Sequence, residues 1–113
     1  VPCTWYDSDG DIRQLIPDYL DAGIDCLAPC EVAANMIPTE LRATFGKRLR
    51  LIGGLDKREI AKGRAAIDAE IERNRPLIVE GGFVPAIDHS VSADISWDSY
   101  QYCIERILRA LEL

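Results

Sequence analysis

The stretch "LRLIGGLDKR", residues 49–58, decides how this chain is read. Leu49, Leu51, Ile52 and Leu55 make a short apolar run that stops at Asp56, Lys57 and Arg58. A run of that length bounded by polar residues reads as a buried strand. Gly53-Gly54 inside it either lets the backbone turn tightly or leaves room for a ligand. The next segment, "RAAIDAEIERNRPLIVEGG" (64–82), sets Ile67, Ile71 and Ile78 at helical spacing. Pro76 is expected to kink that helix and Gly81 to end it. Strand and helix together form one βα unit.

The same unit recurs on both sides. Upstream, "VPCTWY" (1–6) is apolar and ends in "DSDGD", and "DIRQLIPDYLDAG" (11–23) spaces Ile12, Leu15, Ile16, Tyr19 and Leu20 as a helix stopped by Gly23. Pro17 costs least in a first turn, so this helix begins late or bends there. "IDCLAP" (24–29) is the second strand, and "PTELRATFG" (38–46) a short helix with Pro38 near its start and Gly46 past its end. Downstream, "FVPAIDHS" (83–90) is the fourth strand. The last helix starts from the N-cap Ser96, with Trp97, Tyr100, Ile104, Ile107, Leu108 and Leu111 as its apolar stripe. Strands alternating with helices imply a parallel sheet with right-handed crossovers. The expected class is therefore α/β: four consecutive βα units in a single domain over residues 1–113.

Composition narrows the function. The chain has 113 residues, 48% of them hydrophobic, a globular balance. The net charge of −6, with bases interspersed among acids, argues against nucleic acid, which calls for clustered Lys and Arg. No apolar run is long enough to span a membrane. Cys3, Cys26, Cys30 and Cys103 contain no CxxC pair and read as buried thiols of a reducing, cytoplasmic compartment.

Parallel α/β folds bind ligands at the carboxyl ends of their strands. Here those ends carry Asp7, Ser8 and Asp9, then Cys30, Glu31 and Asn35, then Gly53, Gly54, Asp56, Lys57 and Arg58, then Asp88, the sole histidine His89, and Ser90. In a parallel sheet all four clusters share one rim. Each has a plainer reading as well: Asp9 and Asp11 as helix caps, Asp56 to Arg58 as a solvated turn, His89 as a structural histidine. His89 beside Asp88 can hold a substrate carboxylate or move a proton near neutral pH. Asp7, Asp9, Glu31 and His89 could also converge on a metal such as zinc, but their spacing along the chain cannot test it; no metal is expected.

At "DSDGDI" (7–12), "GIDCLAPCEVAANM" (23–36), "LRLIGGLDKR" (49–58) and "EGGFVPAIDHSVSADISWDSY" (80–100), nearly the whole chain resembles the C-terminal part of the uroporphyrinogen decarboxylase family. The resemblance implies half of a (β/α)8 barrel. It implies a parent that is either a cofactor-free decarboxylase or a methyltransferase acting with corrinoid proteins. His89 matches the family's substrate-facing histidine and Asp56 the acid after the third strand here, and the resemblance makes these two the expected catalytic residues. Asp7, Asp9, Gly53, Gly54, Lys57, Arg58 and Asp88 would line the site of a carboxylate-bearing small molecule. The methyltransferases' zinc site uses a His-x-Cys at this first strand and a Cys near the last. Here Asp7-Ser8-Asp9 and Asp88-His89 stand in those places, so no cofactor is expected.

A full barrel takes roughly 250 residues, and the chain opens at Val1 in strand-like sequence. A missing N-terminal half is therefore expected, and an isolated chain that carries half a site without turnover. Alone, it should aggregate, repack as an open sheet, or pair with itself as a non-catalytic assembly module.

Overall fold

The computed structural model describes residues 3–112; Val1 and Pro2 of the first expected strand lie outside them. In chain order the elements are β1 (Trp5–Asp7), α1 (Ile16–Asp21), β2 (Cys26–Ala28), α2 (Pro38–Phe45), β3 (Arg50–Leu55), α3 (Lys57–Ile60), α4 (Arg64–Glu80), β4 (Phe83–Ile87) and α5 (Trp97–Leu111). The strands form one sheet in the order β1-β2-β3-β4, every pair parallel. The register sets Trp5 opposite Cys26, Cys26 opposite Arg50, and Leu51 opposite Phe83.

Local chemistry fixes the boundaries. Helix α1 begins late, with Pro17 in its first turn. Helix α2 starts at Pro38 and stops at Gly46, whose φ of 73° favours glycine. Helix α4 runs through Pro76 without interruption to Gly81. The third unit is more elaborate than the sequence suggests. Asp56 caps a short separate helix, α3, and Gly63 restarts the chain as α4. Lys57 and Arg58 therefore belong to a helical first turn.

Side chains alternate across each strand. Leu27, Leu51, Leu55 and Phe83 are buried and pack with Ile16, Leu41, Ile60, Ile67, Ile71 and Leu77 of the helices. Burying each such side chain is worth about 1.5–3 kcal/mol. The alternate positions face the other way. Tyr6 meets the Tyr19 ring of α1, so Trp5 points to the opposite face, as does Val84, one residue from buried Phe83. Trp5 is 56% exposed and Val84 55%. The helices cover the Leu27 and Leu51 face; on the other, Trp5, Arg50 and Val84 are exposed at the margins while Cys26 and Ala28 of the central strand are buried.

The last helix corrects the sequence reading. Its buried side is Ser99, Cys103, Ile107 and Ala110, not the expected stripe. Of that stripe Ile107 is buried and Tyr100 half-buried, whereas Trp97, Ile104, Leu108 and Leu111 are exposed. The small residues let α5 approach α4 closely. Tyr102 Oη and Arg106 Nε both donate to Asp68 of α4 at 2.8 Å and hold that face inward. The larger apolar stripe is left on the surface.

Candidate functional site

Asp7 ends β1, Asp56 follows β3, and Asp88 and His89 follow β4, so the parallel topology puts them all at one end of the sheet. Carboxylates lace the loops of that rim together. Glu31 Oε1, after β2, accepts from the Gly10 amide of the β1 loop at 3.3 Å. Asp88, 1% exposed, takes the Val32 amide on Oδ2 at 2.8 Å and the Lys57 amide on Oδ1 at 3.0 Å. One buried side chain thus ties the β2 loop to the start of α3. Burial pushes the Asp88 carboxyl above its ordinary value; the two amides pull it back, and Asp56 and Glu31 raise it further.

Asp56 behaves oppositely. Its carboxylate accepts from Arg58 Nε at 2.9 Å and Nη2 at 2.7 Å, and caps α3 by accepting from the Arg58 amide at 2.9 Å. The Arg58 guanidinium holds it below the usual carboxylate range. Behind it, the Asp56 amide donates to Glu70 Oε2 at 2.9 Å, and Glu70 pairs with Arg73, which also donates to the Gly54 carbonyl.

The diglycine has a packing cause. A Cβ on Gly53, φ 109°, would lie 1.6 Å from the Pro29 carbonyl oxygen, and one on Gly54 2.2 Å from Pro38 Cγ. The Gly54 amide donates to that same Pro29 oxygen at 3.1 Å. The space beside both glycines is thus filled by protein.

Some expected groups do not meet. His89 is half-buried, and its hydrogen-bond contacts are both to Ser90, the hydroxyl at 3.0 Å and the carbonyl at 3.4 Å from Nδ1. Both Asp88 oxygens are engaged by backbone amides rather than by His89. Asp7 and Asp9 are exposed, and among the described residues their carboxylates accept no hydrogen bond. The Lys57 ammonium likewise has no acid partner among the described residues. Among the described residues no three His, Cys, Asp or Glu side chains are grouped to hold a metal ion. Three of the four thiols are buried, and burial pushes Cys30 up to about 12 and Cys26 and Cys103 to about 11; Cys3, expected to be buried as well, is half-buried, because it lies ahead of the first strand near the chain's start.

Sequence reasoning missed Glu70 and Arg42. Glu70 carried a signal, an acid on the apolar face of α4 between Ile67 and Ile71. Arg42, 8% exposed, clamps the Glu80 carboxylate and the Gly81 and Gly82 carbonyls, and nothing in its local sequence marks it. Two hollows have linings that include none of Asp7, Asp9, Gly53, Gly54, Asp56, Lys57, Arg58, Asp88 and His89. A groove of about 720 Å³ runs between Asp11, Arg13 and Leu15 on one side and Glu40, Thr44 and Phe45 on the other. A smaller one, about 350 Å³, is lined by Val91, Ile95, Trp97 and Tyr100.

Comparison of the chain with protein-family models, with curated proteins and with solved structures finds no match. No helix is long and apolar enough to cross a membrane among the described residues.

Proposed function

We propose that this chain is one half of an eight-stranded parallel barrel of the uroporphyrinogen decarboxylase type, carrying one side of a rim for a carboxylate-bearing small molecule. The observation that carries this reading is the strand order. A doubly wound sheet reverses its order and covers both faces with helices. A barrel keeps sequential order and turns one face inward. Here the order is β1-β2-β3-β4, and Trp5, Arg50 and Val84 are exposed on the face turned away from the core helices.

On this reading the complete barrel carries out decarboxylation or methyl transfer in the cytoplasm. His89 and Lys57 are the rim's hydrogen-bond donors to substrate carboxylates. Asp56, kept ionised by Arg58, is a fixed negative charge for a substrate N–H. Asp7 and Asp9 lie free at the rim, Arg58 borders it, and Asp88, Gly53 and Gly54 hold its loops in place. The decarboxylation needs no cofactor. A second reading, a non-catalytic assembly module, is favoured by the exposed apolar stripe of α5; turnover by a complete barrel would exclude it.

The sole histidine makes the test simple, since its ring protons give one pair of NMR signals. Titrating the chain with uroporphyrin should shift them saturably. Losing a charge-assisted hydrogen bond in His89→Ala should weaken binding about tenfold or more. Unmoved ring signals, or equal affinity in His89→Ala, would reject the rim.

A further inference from the structure

We infer that two copies of this chain close edge to edge, β4 of each pairing with β1 of the other, into one eight-stranded parallel barrel. This rests on the half-barrel reading and adds the occupant of the open face. Strands β1 and β4 are the two outer edges of one parallel sheet, so each presents unpaired backbone groups that another strand can take up. An occupant must supply two parallel edges at matching separation and a cover for Trp5, Ile52 and Val84, with Arg50 standing on the same face. A second copy related by a two-fold axis supplies all of these with one self-complementary surface. Two copies give eight strands, about the number at which side chains just fill a barrel interior.

The register of the seam follows from the register inside the chain. Trp5 aligns with Cys26 and Cys26 with Arg50; because Leu51 aligns with Phe83, Arg50 falls opposite Gly82. A barrel of this class closes with a total shear of about eight residues, so a two-fold assembly takes about four at each seam. Four residues beyond Gly82 is Ala86, which the second copy's Trp5 then faces. The opposite sense would set it against Ile78, inside α4, where there is no strand. Alternation agrees, since Ala86 shares a face with Val84 and Trp5 lies on that face too. The second copy's Asp7 then stands beside Asp88, so each rim site takes acids from both copies. The seam also brings α5, with Ile104, Leu108 and Leu111 exposed, beside the second copy's α1, just ahead of which Leu15 is exposed.

Cross-linking tests this register. In a Cys3→Ser background, Trp5→Cys and Ala86→Cys proteins are mixed and treated with a short bis-maleimide. Within one chain the two positions lie three strand spacings apart across the sheet, about 14 Å, and four residues apart along it, about 13 Å, so about 19 Å in all, whereas across the seam they are neighbours. The inference expects a linked dimer from the mixture as the main product, little from either variant alone, and less when Val84→Cys replaces Ala86→Cys. It also expects dimer formation to strengthen with salt, which screens the acids brought together at the seam. A mixture that gives no linked dimer, while the chain still binds an apolar dye, overturns the closure and leaves the half-barrel standing. A monomer that neither links nor binds dye overturns both.

Discussion

Asp88 is the residue on which the rim's geometry turns, and its loss has a calculable consequence. Asp88→Ala removes the acceptor of the Val32 and Lys57 amides together. A buried N–H without a partner costs about 1–3 kcal/mol. Both residues are half-buried, so water reaches them in part, and burying the carboxylate itself carries a cost that the variant escapes. The expected loss is therefore about 2–4 kcal/mol, a large share of the roughly 5–15 kcal/mol a domain possesses. Asp88→Asn keeps one acceptor but turns an N–H₂ towards the other amide, and about 1–3 kcal/mol is expected. Urea unfolding should show a lower midpoint at unchanged slope, and hydrogen exchange should speed up at residues 32 and 57. The pH dependence has a definite sign. Burial raises the folded Asp88 carboxyl above 3.8, so the folded chain holds that proton more tightly than the unfolded one. The ionised carboxylate weighs against folding above the folded value, and the burden lifts as pH falls through it. The wild type should therefore gain stability over Asp88→Asn as the pH is lowered towards 3.8. An Asp88→Ala midpoint within about 0.5 kcal/mol of wild type, with residues 32 and 57 protected as before, would refute the reasoning.

Three other outcomes follow from the same geometry. Arg58→Ala should lower the melting temperature only slightly at neutral pH, because the arginine side chain is 58% exposed and its pairing is screened by water. Asp56 is held below 3.8, so that cost should vanish in thermal melts as the pH falls through its folded value. Gly53→Ala should cost about 3 kcal/mol or more, since it adds a backbone clash to a left-handed φ; Gly10→Ala, with open space around it, should cost about 1 kcal/mol. His89→Ala should leave the melting temperature nearly unchanged, within about 0.5 kcal/mol, because its hydrogen bonds reach only Ser90; a larger loss would mark a structural histidine.

The fold was largely legible because its signals are local. The run from Leu49 to Leu55, the isoleucines of α4, and the placing of Pro17, Pro38 and Ser96 each mark an element within a few residues. The site was less legible because it is built from long-range contacts. Asp88 could be read as a rim residue from its place after a strand, but not its grip on residues 32 and 57, which are 56 and 31 positions away. The glycines at 53 and 54 read equally well as a ligand cradle until Pro29 and Pro38 were seen to fill the space. Helix α5 was misread because periodicity favours the larger apolar stripe. Close packing against α4 instead selected the face of Ser99, Cys103 and Ala110.

The central claim is that the sheet leaves Trp5 and Val84 uncovered on one face and has two outer edges, as half of a barrel must. Light scattering on the purified chain, combined with binding of a dye specific for apolar surface, tests it most directly. The account predicts a particle heavier than the 12.6 kDa monomer, or a monomer that binds the dye strongly. A monodisperse 12.6 kDa monomer that binds no dye would contradict it.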